Sequence, residues 1–492
     1  MRVRSCGAAA RITSVVAVVF LVFSLPQVAH AHFTGSPGSG ERIVVSLGGH
    51  ELTFTMQPVT STPGDQKIDV VTHAGQPAAR LALSARNIAD GTTTTETSLD
   101  ISGPPGKRTA TIVVGGPGQW ELTADDGRNR ALIPFLVVPP ATPAWQLTSN
   151  VGWAAAGAFV FAAFAVSRAA RSRRRWLTLG LTSAAAASVA VAITARVLSP
   201  APVNGVDPAS VAAARQAAGI SAALPATSPE LAPSYANAAT RTDPAVPSAG
   251  QPFDLRLSLY DGATGRVLDD LRPQHAALIH LAAVSDDRAT FAHVHPARVG
   301  PGEYLVRLTL PHAGAYTVYS ELQRDGSGTQ LITTRLAVSP EAPGQAEAEP
   351  DPAVVTSVAP APGFGRREAD GLTFSLAPSQ PPAAGTPITV TADVSDATGP
   401  VRDLQPWLDM AAHLLLLGPG DSGTAVFGHV HEFDSMSAMA NSAALPPDET
   451  VANIGPKLRF VFSFPRPGRY WLWLQTQRGY RVHTVPFQVE VP

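Results

Sequence analysis

The strongest constraint on the fold is that the second half of the chain is written twice. One copy opens at Ala249-Gly250-Gln251-Pro252 and the other at Ala384-Gly385-Thr386-Pro387. Asp261-Gly262-Ala263-Thr264-Gly265 is echoed by Asp396-Ala397-Thr398-Gly399, and Asp270-Leu271-Arg272-Pro273 by Asp403-Leu404-Gln405-Pro406. His280-Leu281 corresponds to His413-Leu414, and Phe291-Ala292-His293-Val294-His295 to Phe427-Gly428-His429-Val430-His431. The copies close on Gly314-Ala315-Tyr316 and Gly468-Arg469-Tyr470. The order is kept throughout, so each copy is one folding unit. Residues 32–140 share only the closing part: Gly116 to Trp120, then Ile133-Pro134-Phe135, resembles Gly468-Arg469-Tyr470, then Val485-Pro486-Phe487. That predicts the same unit without the histidine segment.

Each unit reads as all-β. Runs such as 42–47, 51–56, 67–72 and 109–114 are alternating or β-branched, and Gly, Pro or Asp interrupts them about every ten residues. With 41 Gly and 45 Pro in 492 residues and only 15% charged residues, the composition suits many short strands joined by turns and argues against a coiled coil or a disordered polymer. The expected fold is mainly β: three Ig-like β-sandwich ectodomains at 32–140, 250–338 and 369–492, plus a two-helix transmembrane hairpin. Trp120, Tyr316 and Tyr470 are expected at corner positions of the sandwiches. Residues 198–249 and 339–368, rich in Ala and Pro, read as linkers.

Residues 1–31 read as a signal peptide, with Arg2, Arg4 and Arg11 before an apolar run at 12–25 and a small-x-small site at Ala29-His30-Ala31. Residues 145–167 and 176–197 read as membrane spans. The loop between them, 168–175, carries five arginines and should stay in the cytoplasm. Export of the N-terminus and this basic loop give one topology, a multi-pass protein of the cell membrane with two spans and its N- and C-terminal domains extracytoplasmic. The formal net charge of −2 offers no basic stripe for a nucleic-acid partner. Cys6 is the only cysteine and precedes the cleavage site, which excludes a disulfide scaffold or a Cys-rich zinc module.

Histidine is what remains for holding a transition metal. In each repeat two apolar runs flank a polar turn, a hairpin signal. His293 and His295 share one strand face, as do His429 and His431. Turns centred between Asp286 and Asp287 and on Asp421 would put His280 opposite His293 and His413 opposite His429. The reading is two three-histidine metal sites, His280, His293 and His295 in one repeat and His413, His429 and His431 in the other. Imidazoles without thiolate suit copper or zinc. A hydrogen-bonded structural cluster and a pH-sensing cluster are the competing readings. Met410, Met436 and Met439 would favour Cu(I) in the second repeat, and Glu321 and Glu432 are available to complete a coordination shell. His32, first in the mature chain, offers a separate copper ligand through its amine and ring. No nucleophile elbow, phosphate loop or zinc-protease helix is present, so no enzymatic activity is expected.

His32 after a signal peptide, followed by a sandwich and membrane spans, resembles the CopC-type copper-handling arrangement. The two histidine repeats, with their closing Gly-Arg-Tyr and Val-Pro-Phe elements, are similar to YtkA-like bacterial envelope domains. The resemblance implies an envelope protein that binds or buffers copper or zinc outside the membrane. The alternative is a structural or adhesive envelope protein whose Ig-like domains contact other proteins and hold no metal.

Overall fold

The computed structural model describes residues 41–59, 61–74, 79–138, 144–169, 175–197, 234–341, 353–356, 362–421, 424–440 and 447–492. The signal peptide, His32, most of the 168–175 loop and residues 198–233 of the first linker lie outside them.

The first sandwich has eight strands: β1 (Glu41–Leu47), β2 (His50–Met56), β3 (Gly64–Thr72), β4 (Arg80–Asn87), β5 (Thr97–Asp100), β6 (Gly106–Val114), β7 (Gly118–Asp125) and β8 (Arg130–Val137). They form two antiparallel sheets, ordered β1-β2-β3-β6 and β5-β4-β7-β8. Alternation fills the space between them with residues such as Phe54, Val70, Leu83, Trp120 and Phe135.

Two helices follow, α1 (Ala144–Ala169) and α2 (Arg175–Val197). Thr148–Arg168 and Trp176–Ala195 are long and apolar enough to cross a bilayer. The helices pack through small residues: Ala156, Ala163, Ala185 and Ala192 are buried, and a Cβ on Gly152 would meet that of Ala192 at 2.8 Å. Phe161, Phe164, Trp176 and Leu179 face outward. Small residues inside and large apolar ones outside is the arrangement expected in lipid, the reverse of a helix in a water-soluble protein.

The first repeat contains β9 (Ala236–Asp243), β10 (Pro252–Asp261), β11 (Ile279–Ser285), β12 (Thr290–Val294), β13 (Ala297–Gly300), β14 (Glu303–Thr309), β15 (Gly314–Gln323), β16 (Thr329–Val338) and β17 (Val354–Thr356). Its sheets are ordered β13-β14-β10-β9 and β16-β15-β11-β12-β17. The second contains β18 (Gly365–Ala369), β19 (Leu372–Pro378), β20 (Pro387–Asp396), β21 (Gly399–Pro400), β22 (His413–Leu417), β23 (Phe427–His431), α3 (Phe433–Ala440), β24 (Lys457–Ser463), β25 (Gly468–Arg478) and β26 (Arg481–Val491). Its sheets are β18-β19-β20-β21, with β24 also on β20, and β23-β22-β25-β26. The linker expectation needs correcting at three places: β9 lies inside 198–249, while β17 and part of β18 lie inside 339–368. These are edge strands. β9 buries only alternate small residues and β17 has three residues, so neither produces an apolar run.

All three expected corners form, each by a hydrogen bond reaching four residues back. Trp120 Nε1 donates to the Gly116 carbonyl at 3.1 Å, Tyr316 Oη to that of His312 at 2.8 Å, and Tyr470 Oη to that of Arg466 at 2.8 Å.

Between the repeats lies a further core. On β11, Ile279, Leu281 and Ala283 face their own sandwich, while Ala282 and Val284 face the other repeat. On β22, Leu414 and Leu416 face inward, and Leu415 and Leu417 outward. The two histidine-bearing sheets thus pack face to face, and the strands are buried on both sides. The contact has an internal two-fold character. Phe291 stacks on Trp473 at 4.6 Å between ring centroids, and the corresponding pair, Phe427 and Tyr319, stacks at 4.8 Å. Phe291→Ala should cost about 3–5 kcal/mol. A double-mutant cycle with Trp473→Ala, read by chemical denaturation, should give a coupling of about 0.5–1.5 kcal/mol across the interface.

Candidate metal centre

The outward alternation that brings Ala282 and Val284 to the interface also brings His280 there, and on the other side His413 joins Leu415 and Leu417. The histidine hairpins form, but with a register two residues from the expected one. Ala282 pairs with His293, and Leu281 with Val294. His413 pairs with His431, and Leu415 with His429. A two-residue shift preserves the face, so the histidines still converge.

The larger correction concerns separation. The two hairpins oppose each other across the interface, and their histidines merge into a single cluster. His280 and His429, from different repeats, have ring centroids 4.9 Å apart, and His293 and His429 are at 5.3 Å. Within the second repeat His413 is 5.3 Å from His429, and His429 is 4.6 Å from His431. Two triads bring one ring nitrogen of each member within 4.8 Å of the others: His280, His293 and His429, and His413, His429 and His431. Ligands about 2.05 Å from a tetrahedral ion lie about 3.4 Å apart, so small ring rotations would close either set. His295 belongs to neither triad, although its ring is 5.1 Å from His280 and 4.9 Å from His293.

Hydrogen bonds fix what these rings offer. His293 Nδ1 lies 2.8 Å from Gln475 Oε1, and His429 Nδ1 lies 3.0 Å from Glu321 Oε2. His280 Nε2 lies 2.8 Å from the Gln274 carbonyl. Each acceptor takes a ring N–H, so the nitrogen that faces the centre is the other one, which carries the lone pair when the ring is neutral. Those other nitrogens, His293 Nε2, His429 Nε2 and His280 Nδ1, are buried without a protein partner, as are both nitrogens of His413 and Nε2 of His431. Gln475 and Glu321 occupy corresponding positions of the repeats, so the internal two-fold extends to the groups behind the ligands.

Two features were missed in sequence. His275, whose counterpart in the second repeat is Leu408, has its ring centroid 3.8 Å from that of His431. It sits in a two-residue left-handed turn, His275-Ala276, matched in the other repeat by Leu408-Asp409. Each turn is closed by reciprocal backbone bonds, Gln274 with Ala277 and Trp407 with Met410. The first turn aims the Gln274 carbonyl at His280, and the second sets Trp407 against His293, His295 and His413.

The first sandwich also reaches the centre. Glu51 accepts from Trp407 Nε1 at 2.6 Å and lies 3.3 Å from His295 Nδ1. The Ser46 amide donates to the His295 carbonyl at 2.7 Å, and Arg42 pairs with Asp409. Glu432, a possible ligand by sequence, instead caps α3, accepting from the Ser435 amide at 2.8 Å. Met436 is exposed on α3.

Burial, reinforced by neighbouring histidines, holds His280, His293, His413 and His431 well below the ordinary imidazole range. His275 is lowered to about 3 by burial and by His429. Above about pH 6.5 neither folded nor unfolded chain protonates these groups. Below it the unfolded chain takes up protons that the folded one refuses, so stability falls with pH, by up to about 1.4 kcal/mol per unit for each histidine. Denaturation midpoints of metal-free protein should therefore drop steeply below about pH 6.5, and His413→Leu should flatten the profile.

Residues 236–338 and 367–492 each match a family described as a domain of unknown function (DUF8832), together just under half of the chain. This match is neither CopC-type nor YtkA-like, and its first boundary coincides with the start of β9. No curated protein matches in sequence. Solved structures that align with the chain include a tetra-tandem repeat from the extending region of a large adhesion protein, at 8% identity, covering 92% of this chain and 73% of that one, with a TM-score of 0.16. Invasin, a bacterial integrin-binding protein, aligns at 9% identity, covering 90% of this chain and 60% of its own, with a TM-score of 0.15. Domains 4–9 of the surface layer protein SbsC align at 10% identity, covering 91% and 48%, with a TM-score of 0.16. TM-scores this low carry no argument about the arrangement of domains or about function.

Proposed function

We propose that this chain is a membrane-anchored extracytoplasmic protein that binds copper or zinc ions in the histidine centre between its two repeats. The observation that carries this reading is the hydrogen-bond pattern of the rings. His280, His293 and His429 each set one ring nitrogen against an oxygen outside the centre and leave the other inside it without a protein partner. Metal-binding histidines are oriented this way, by an acceptor on the far nitrogen that also raises their basicity. The ligand set is neutral imidazole, which suits Zn²⁺ or Cu²⁺, and the carboxylates of Glu321 and Glu51 lie behind it to offset a dication. In this reading α1 and α2 cross the membrane, the 168–175 loop is cytoplasmic, and all three sandwiches are outside. His32 at the mature N-terminus is a separate copper ligand.

One observation favours the alternative of a structural or adhesive envelope protein without metal. The repeat interface is already closed by its own apolar core of Phe291, Tyr319, Leu415 and Trp473, beside which histidines can serve as packing.

Titration of the full-length protein in detergent with buffered Zn²⁺ or Cu²⁺ separates the two. Metal binding predicts stabilisation by about 2.7 kcal/mol at a free ion concentration one hundred times Kd. Glu321→Gln should weaken binding about 10–100-fold without changing metal-free stability by a similar factor. Unchanged denaturation midpoints with both ions would leave the structural reading standing. For topology, a cysteine introduced by Thr333→Cys should react with a membrane-impermeant thiol reagent in intact cells, and one introduced by Ser172→Cys should react only after permeabilisation.

A further inference from the structure

We infer that the centre holds one ion in exchange between two positions, rather than the two ions that a three-histidine site in each repeat would bind; this rests on the metal-binding reading above. The two triads are not independent, because both require His429. Its Nδ1 is engaged by Glu321 at 3.0 Å, which leaves Nε2 as its only nitrogen free to ligate. A ring nitrogen has one lone pair, so an ion in one triad leaves the other with two histidines. Two dications on rings whose centroids are about 5 Å apart would also repel strongly in so dry a place.

The positions differ in kind. One spans the interface, with His280 and His293 from the first repeat and His429 from the second. The other lies within the second repeat, on β22 and β23. β11, β12 and β22 are buried throughout, whereas β23 is the half-buried edge of its sheet. The second position therefore takes two of its three ligands from the edge strand, and the first takes one. His429 belongs to both, so an ion passes between them without losing that ligand. The repeats depart from their two-fold relation at this point: the acceptor behind His429 is a carboxylate, and the one behind His293 is the neutral Gln475. Charge thus strengthens the one ligand that both positions use.

The test is Zn²⁺ content at saturation, measured by equilibrium dialysis of the full chain carrying His32→Ala, which removes the N-terminal ligand. One equivalent per chain is expected. His293→Ala and His413→Ala should each still bind one equivalent, at least tenfold more weakly, since each spares one triad. The pair combined, or His429→Ala alone, should abolish tight binding. Two equivalents in the protein with its histidine centre intact overturn the inference, and that count needs no centre variant to fold. Complete loss in either single variant, with its circular dichroism unchanged, overturns it too by showing one fixed position. Neither Zn²⁺ nor Cu²⁺ bound before any centre substitution overturns the metal reading itself.

Discussion

The face-to-face contact of the two histidine sheets governs the rest of the molecule. Each sheet presents a stripe that is apolar along most of its length and carries imidazoles at one end. Since side chains alternate along a strand, the residue that fills the interface and the residue that enters the centre must have the same parity. His280, Ala282 and Val284 meet this condition on β11, as do His413, Leu415 and Leu417 on β22. Sheets pack about 10 Å apart, which leaves room for a layer of opposed rings and little else. Apolar packing therefore sets the distance at which the imidazoles of the two repeats meet, and the triad of His280, His293 and His429 needs both repeats.

Duplication explains the form of this contact. Two copies of one unit bring the same surface to each other, so each contact occurs twice, as in an isologous dimer. Phe291 on Trp473 matches Phe427 on Tyr319, and His293 with Gln475 matches His429 with Glu321. Joining the copies in one chain allows the halves to diverge while the contact persists. Glu321 against Gln475 and His275 against Leu408 are such divergences, and both fall beside the centre. The first sandwich closes the same junction through Glu51 and Ser46, which accounts for the burial of His295 away from both triads.

Local order was legible in the sequence, and contact between units was not. The corner residues, the repeat and the shared face of the histidines follow from spacing and alternation along one strand. The hairpin register depends on where each turn places its centre, and both hairpins pair two residues from the expected register. The edge strands β9 and β17 carry too few apolar side chains to stand out from a linker. Merging of the two triads was harder still to see, because no spacing within a repeat encodes which faces meet. One signal was present: Leu414 to Leu417 and Ala282 to Val284 are apolar at consecutive positions, the pattern of strands covered on both faces. A sandwich covers only one face of such a strand, so a second layer was implied. His275 had no signal at all, since its counterpart is leucine.

The energetics of the centre bear on why histidine stands there. A buried acceptor without a donor costs about 1–3 kcal/mol, and several ring nitrogens of the centre find no donor from the protein. Holding four imidazoles neutral costs more as the pH falls. Leucine or valine at the same positions would extend the apolar stripe of Ala282, Val284, Leu415 and Leu417 and avoid both penalties, as apolar replacement of buried polar groups often does. Packing alone therefore favours residues that this chain does not use. The converging ring nitrogens without a protein partner cost the folded chain stability. The left-handed turns at His275-Ala276 and Leu408-Asp409 add to the same side. The strain they hold serves to aim a carbonyl at His280 and an indole at His293, and neither would be needed to bury a leucine.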